Sequence, residues 1–111
     1  MPRVILRIKC GILLCAMALT VPLSLHAESD AAGIFKAKCV LCHAADGSGS
    51  SPSGKALKAK DLRSEEVQKK SDAELTAVIT KGQGKMPAFG QKLKPEQIPE
   101  LVAYIRQLAA K

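Results

Sequence analysis

Residues 39–43 read Cys39-Val40-Leu41-Cys42-His43. Two thiols three positions apart, followed at once by an imidazole, form the C-x-x-C-H pattern of covalent haem attachment. Each thiol can add across a porphyrin vinyl group to form a thioether. About one helical turn separates the sulfurs, which suits one edge of the ring and lets His43 reach the iron from the same side. On this reading the rest of the chain covers a haem and provides its second axial ligand. Three other uses of the motif stand beside it. A zinc site needs four ligands, and Cys39, Cys42 and His43 supply three unless a carboxylate joins. A redox dithiol needs a strand–helix context that the sequence does not show. A disulfide across two intervening residues would close a tiny loop and leave His43 without a role.

The start of the chain has the layout of a secretory leader. Arg3, Arg7 and Lys9 precede a mostly apolar run from Cys10 to Leu25, and Ala27 suits the position before a cut. Residues 1–27 are therefore expected to be a cleaved signal peptide of the Sec type, with residues 28–111 as one domain in the periplasm or another exported space. A permanent anchor is the alternative. The run is shorter than the ~20 apolar residues of a spanning helix, and Pro22 and Ser24 interrupt it. No stable membrane insertion of the mature chain is expected.

Loss of the leader simplifies the inventory. Cys10, Cys15 and His26 go with it, so Cys39, Cys42 and His43 become the sole thiols and imidazole. Three of the 17 basic residues go and all ten acids stay, which takes the net charge from +7 to +4. A modest positive charge favours encounter with acidic protein surfaces. It does not read as a nucleic-acid interface, because the aromatics are only Phe35, Phe89 and Tyr104. Residues 28–111 hold only 19 Val, Ile, Leu, Met, Phe and Tyr residues and no Trp. That is thin for an independent core, and a buried porphyrin would supply apolar volume.

The periodic segments read as helices, and no alternating run reads as a strand. A first helix is expected over 30–41 with Ser29 as N-cap. Residues 44–53 are dense in Gly, Ser, Asp and Pro and read as an ordered loop. In the ambiguous stretch 55–63, Leu57 and Leu62 are the expected buried residues. Ser64 is expected to cap a short turn over 65–70. Ser71-x-x-Glu74 is a capping box that starts a helix over 72–81, with Gly82 as its stop. The last helix is expected over 95–109, one face carrying Leu101, Val102, Ile105 and Leu108. Pro99 either bends that helix or marks its true start.

Met86 is the one methionine after the leader. It sits on a Gly-rich loop, with Pro87 behind it to stiffen the thioether's direction. A core filler is the commoner use of Met. Its uniqueness and loop position favour Met86 as the second axial ligand opposite His43. Such His/Met ligation raises the haem reduction potential.

The chain resembles the class I cytochromes c across residues 28–111. The matching pieces are Phe35 four residues before Cys39, Cys39-x-x-Cys42-His43, Met86-Pro87-Ala88-Phe89-Gly90, and Leu101-Val102-Ala103-Tyr104-Ile105. The resemblance implies an all-α, cytochrome c-like fold. Three to five short helices would wrap around one covalently bound haem c and its iron. The N- and C-terminal helices would cross, with Phe35, Leu101 and Tyr104 at the crossing. It also implies that the Pro52 carbonyl accepts the ring N–H of His43; a plain turn residue is the other reading of Pro52. Two departures stand out. Ala31 occupies the helix-crossing position where the family often has Gly, and no Trp is available to hold a propionate.

The function that follows is a periplasmic, soluble electron carrier that cycles Fe(III)/Fe(II), a monomer and not an enzyme. The alternative is a haem-bearing subunit of a larger oxidoreductase, or a haem-based sensor. Redox partners with acidic docking surfaces are expected. Lys36 and Lys38 near the attachment site, and Lys81, Lys85, Lys92 and Lys94 around the Met loop, are the candidate steering charges. Each is equally readable as part of a solvated face.

Overall fold

The computed structural model describes residues 30–111. The expected leader, residues 1–27, and the expected cap Ser29 lie outside the described residues. Six helices follow in order: α1 (Ala31–Lys38), α2 (Val40–His43), α3 (Pro52–Leu57), α4 (Glu65–Gln68), α5 (Asp72–Lys81) and α6 (Gln97–Ala109). Among the described residues there is no strand, only an isolated bridge between Gln83 and Met86. The all-α class holds. The helix count exceeds the expected three to five for two local reasons.

The first reason is Cys39. The expected single helix over 30–41 bends there, at φ −116° and ψ −31°. Hydrogen bonding continues through the bend: the Cys39 N–H donates to the Phe35 carbonyl at 2.9 Å, and the His43 N–H to the Cys39 carbonyl at 2.9 Å. The second is α3, whose start falls inside the expected loop. Ser51 accepts the Gly54 N–H at 3.0 Å as an N-cap, and Pro52 takes the first helical position, where its missing donor costs nothing. The Ser51 hydroxyl also donates to the Leu41 carbonyl at 2.7 Å, which ties α3 to the end of α2.

The later caps form as the sequence reads. Ser64 caps α4. Around α5 the box closes in both directions, with the Glu74 N–H on the Ser71 hydroxyl at 3.1 Å and the Ser71 N–H on the Glu74 carboxylate at 2.6 Å. α6 begins at Gln97, two residues later than expected, which makes Pro99 its third residue. The first N–H groups of a helix have no intrahelical acceptor, so Pro99 removes no bond from the ladder.

The core is built where α1 and α5 each pack on α6. Ile34 and Phe35 of α1, Leu75 and Ile79 of α5, and Leu101, Val102, Ile105 and Leu108 of α6 are all buried. Phe35 and Tyr104 meet at the crossing with ring centroids 5.1 Å apart. Ala31 is buried in the Gly-favoured position, so its methyl is accommodated. Of the two leucines expected inside, Leu62 is buried and Leu57 is 41% exposed, because Leu57 ends α3 at the rim of a cleft.

Arg106 fastens the α4–α5 connection to α6. Its guanidinium donates to the Gln68 carbonyl at 2.8 Å, the Lys70 carbonyl at 2.6 Å and the Asp72 carboxylate at 2.9 Å. A rigid fork with five donors can serve several acceptors at once. No helix among the described residues is long and apolar enough to cross a membrane.

Candidate haem site

A cleft of about 550 Å³ opens between the Cys39–His43 turn, the 57–62 segment and the Met86 loop. That volume lies within the range of small-molecule and cofactor sites. Behind it a smaller apolar cavity of about 30 Å³ shares Cys39, His43, Met86 and Phe89 with the cleft and is lined on the core side by Phe35, Ile79, Leu93, Leu101 and Ile105. Cys39, Cys42, His43 and Met86 all line the cleft. The rim carries Lys38, Lys58, Lys60, Lys70 and Lys85 against one acid, Glu66. An apolar interior with a cationic rim fits a flat hydrophobic ring that bears carboxylates.

The two thiols are free. Burial pushes the Cys39 thiol up to about 11, against a smaller downward pull from the Lys38 ammonium and a further upward push from Cys42. A raised pKa disfavours the thiolate on which redox dithiol chemistry depends. Among the described residues no set of three or more His, Cys, Asp or Glu side chains is arranged to hold a metal ion. The donor set instead fits a macrocycle held by two thioethers, with an imidazole and a thioether available to its metal.

His43 lies on α2, one residue past Cys42. Its Nδ1 is 2.9 Å from the carbonyl oxygen of Lys60. With Nδ1 as the donor, Nε2 is left free and could serve as a ligand atom. The family resemblance implied the Pro52 carbonyl for this bond, with a plain turn residue as the other reading of Pro52. In the structure the group at Nδ1 is the Lys60 carbonyl, and Pro52 takes the first position of α3. No side-chain pattern could have marked Lys60, since the acceptor is backbone. Its ammonium is engaged elsewhere, on Glu66 at 2.8 Å.

The Met86 loop is stitched back onto the end of α5. Gln83 and Met86 exchange N–H···O bonds of 3.1 and 2.9 Å, the Phe89 N–H donates to the Ile79 carbonyl at 2.9 Å, and the Gly90 N–H donates to the Thr80 carbonyl at 3.1 Å. Gly82 makes this turn possible. Its φ is +74°, and a Cβ there would lie 2.6 Å from the Met86 carbonyl oxygen. Met86 is half-buried and packed against the core. The six lysines singled out in the sequence are all exposed, and Lys38 and Lys85 reach the cleft rim. The Lys92 ammonium sits over the Phe89 ring at 5.4 Å from its centroid.

Comparison with known proteins agrees with this chemistry. Residues 26–105 match the family model described as cytochrome C oxidase, cbb3-type, subunit III. Cytochrome c6 of Nostoc sp. (strain PCC 7120) is 38% identical over 106 residues, covering 95% of this chain and 92% of that protein. Cytochrome c6 of Aphanizomenon flos-aquae is 38% identical over 81 residues, covering 70% of this chain and 86% of its own. Among solved structures, the KustC0563 c-type cytochrome superposes with a TM-score of 0.66 at 31% identity, covering 71% of this chain and 96% of that one.

Proposed function

The chain belongs to the small class I c-type cytochromes, and on that premise we propose that Cys39 and Cys42 carry its haem c as thioethers while His43 and Met86 ligate the iron. The protein is an electron carrier with one covalently bound haem, not an enzyme. The observation that supports the ligand set is the convergence of all four side chains on one cleft. Residues 1–27 serve as a cleaved export signal, and the mature domain works as a monomer in the periplasm or a comparable exported space.

When bound, the haem supplies one-electron Fe(III)/Fe(II) chemistry. The chain's own task is to keep the site closed and unchanged in both states. Leu62, Val67, Leu75 and Phe89 give the cleft an apolar lining that excludes water, and Phe35, Ile79 and Leu101 line the small cavity behind it. The Lys60 carbonyl fixes the His43 ring and leaves Nε2 free as a ligand. The stitched 83–90 loop holds the Met86 thioether without asking it to move. Small reorganisation between oxidation states is what a carrier needs.

Its partners are redox proteins. We place acidic docking surfaces on them because the cleft rim carries five lysines against one acid. A second reading, as a haem-bearing subunit of a larger oxidoreductase, draws on the description of the matching family model.

The test is the mass and redox titration of the mature exported protein. A covalent haem adduct that is lost in Cys39→Ala/Cys42→Ala, and a reversible one-electron wave, support the carrier. Stoichiometric co-purification with a dehydrogenase or oxidase would favour the subunit. An adduct that survives the double substitution would refute the attachment sites.

A further inference from the structure

We infer that Gly49 is a positioning residue for the axial histidine, acting through the backbone that presents the Lys60 carbonyl to His43. The inference rests on the reading of His43 as the iron ligand.

The observations begin just past the ligand. Ala44 has φ +61° and ψ 163°, a region that is close to glycine-only. The chain therefore reverses sharply after His43. It returns through a tight turn in which the Asp46 carboxylate accepts the Ser48 N–H at 3.0 Å. The Ser48 hydroxyl accepts the Ser50 N–H at 3.3 Å. Two bonds then lock this turn. The Gly49 N–H donates to the His43 carbonyl at 2.8 Å, and the Leu62 N–H donates to the Gly47 carbonyl at 2.7 Å. The turn is thus fixed on one side to the ligand's own backbone and on the other to the segment that carries Lys60.

Gly49 lies where the two sides press together. It is buried, with φ +76°. A Cβ there would stand 2.7 Å from the Ala59 carbonyl oxygen and 3.4 Å from that of Lys60. These are backbone atoms, not the end of a flexible side chain, so a methyl group forces the 47–49 turn and segment 59–60 apart. That movement carries the Lys60 oxygen off the His43 Nδ1. Donation from Nδ1 makes the imidazole more basic and favours the more highly charged iron state. Bulk at position 49 therefore weakens that preference and raises the potential.

The experiment uses the holoprotein. It measures the midpoint potential and, in the reduced diamagnetic state, the solvent exchange of the His43 Nδ1 proton by NMR. Gly49→Ala is expected to shift the potential upward and to speed the exchange. Val102→Ala serves as a control for general destabilisation, since Val102 is buried on α6 and does not line the cleft. It should leave both readings at the wild-type values. If Gly49→Ala does not assemble, Ser48→Gly loosens the same turn without adding bulk or changing charge, and a smaller shift in the same direction is expected.

An unshifted potential and an unchanged exchange rate in a normally ligated Gly49→Ala or Ser48→Gly protein would overturn the positioning role alone. An equal shift in Val102→Ala would overturn it as well. A wild-type spectrum without low-spin histidine ligation would remove the reading of His43, and the proposal with it.

Discussion

The ring of Phe35 lies against that of Tyr104, centroids 5.1 Å apart and planes tilted by 49°, where α1 crosses α6. Cys39 follows Phe35 by four positions, about one helical turn, so this contact also fixes where the Cys39–His43 turn begins. Phe35 is only 2% exposed. Phe35→Ala should cost about 3–5 kcal/mol of stability, and Tyr104→Ala less, since Tyr104 is half-buried. Urea denaturation followed by far-UV circular dichroism measures both.

Arg106 reaches three acceptors on segment 68–72 from α6. Arg106→Ala should lower stability by about 1–3 kcal/mol, because two backbone carbonyls lose a charged donor. Arg106→Lys should recover little, since a single ammonium cannot span the same acceptors. A lysine variant with wild-type stability would show that the fork geometry is not what matters.

Several carboxyls are held below their usual range, and this sets an acid dependence. The Ser71 backbone N–H, with its hydroxyl next, lowers Glu74; the Arg63 guanidinium lowers Asp61; the Lys60 ammonium lowers Glu66. In each case the folded pKa lies below the unfolded one. The stabilisation is therefore complete above the unfolded values, near 4 to 4.5, and fades as the pH falls through the folded ones. Glu74→Gln should be less stable than wild type at about pH 6, with the difference shrinking toward about pH 3. A difference that stays constant across that range would show that the carboxylate's charge plays no part.

Charge around the Met86 loop should act on encounter. Lys85→Glu combined with Lys92→Glu is expected to slow association with an acidic redox partner by about tenfold at low ionic strength, with the gap closing as salt is added. Stopped-flow electron transfer at several salt concentrations reads this directly. Rates that match wild type at every salt concentration would remove these two lysines from the docking face.

Much of this fold is legible in the sequence where the cause is local. The Ser71–Glu74 box, the Ser64 cap and the Gly82 stop each depend on residues within a few positions, and all three form. The attachment turn and the Met86 loop carry unusual residue types, so they announce themselves. What escapes is set by long-range backbone placement. The acceptor for His43 is 17 residues away, and it is a carbonyl that any residue could offer. Pro52 had the right chemistry but was claimed by the start of α3. Leu57 is apolar and still exposed, because its environment depends on how α3 lies at the cleft rim rather than on its neighbours in sequence.

The central claim is that Met86 and His43 together close the coordination of a haem held by Cys39 and Cys42. The absorption spectrum of the oxidised mature protein tests it most directly, through the sulfur-to-iron charge-transfer band of a Met-ligated ferric haem. The account predicts the band in wild type and its loss in Met86→Ala, with the covalent haem retained. Absence of the band from wild type, or its survival in Met86→Ala, would contradict it.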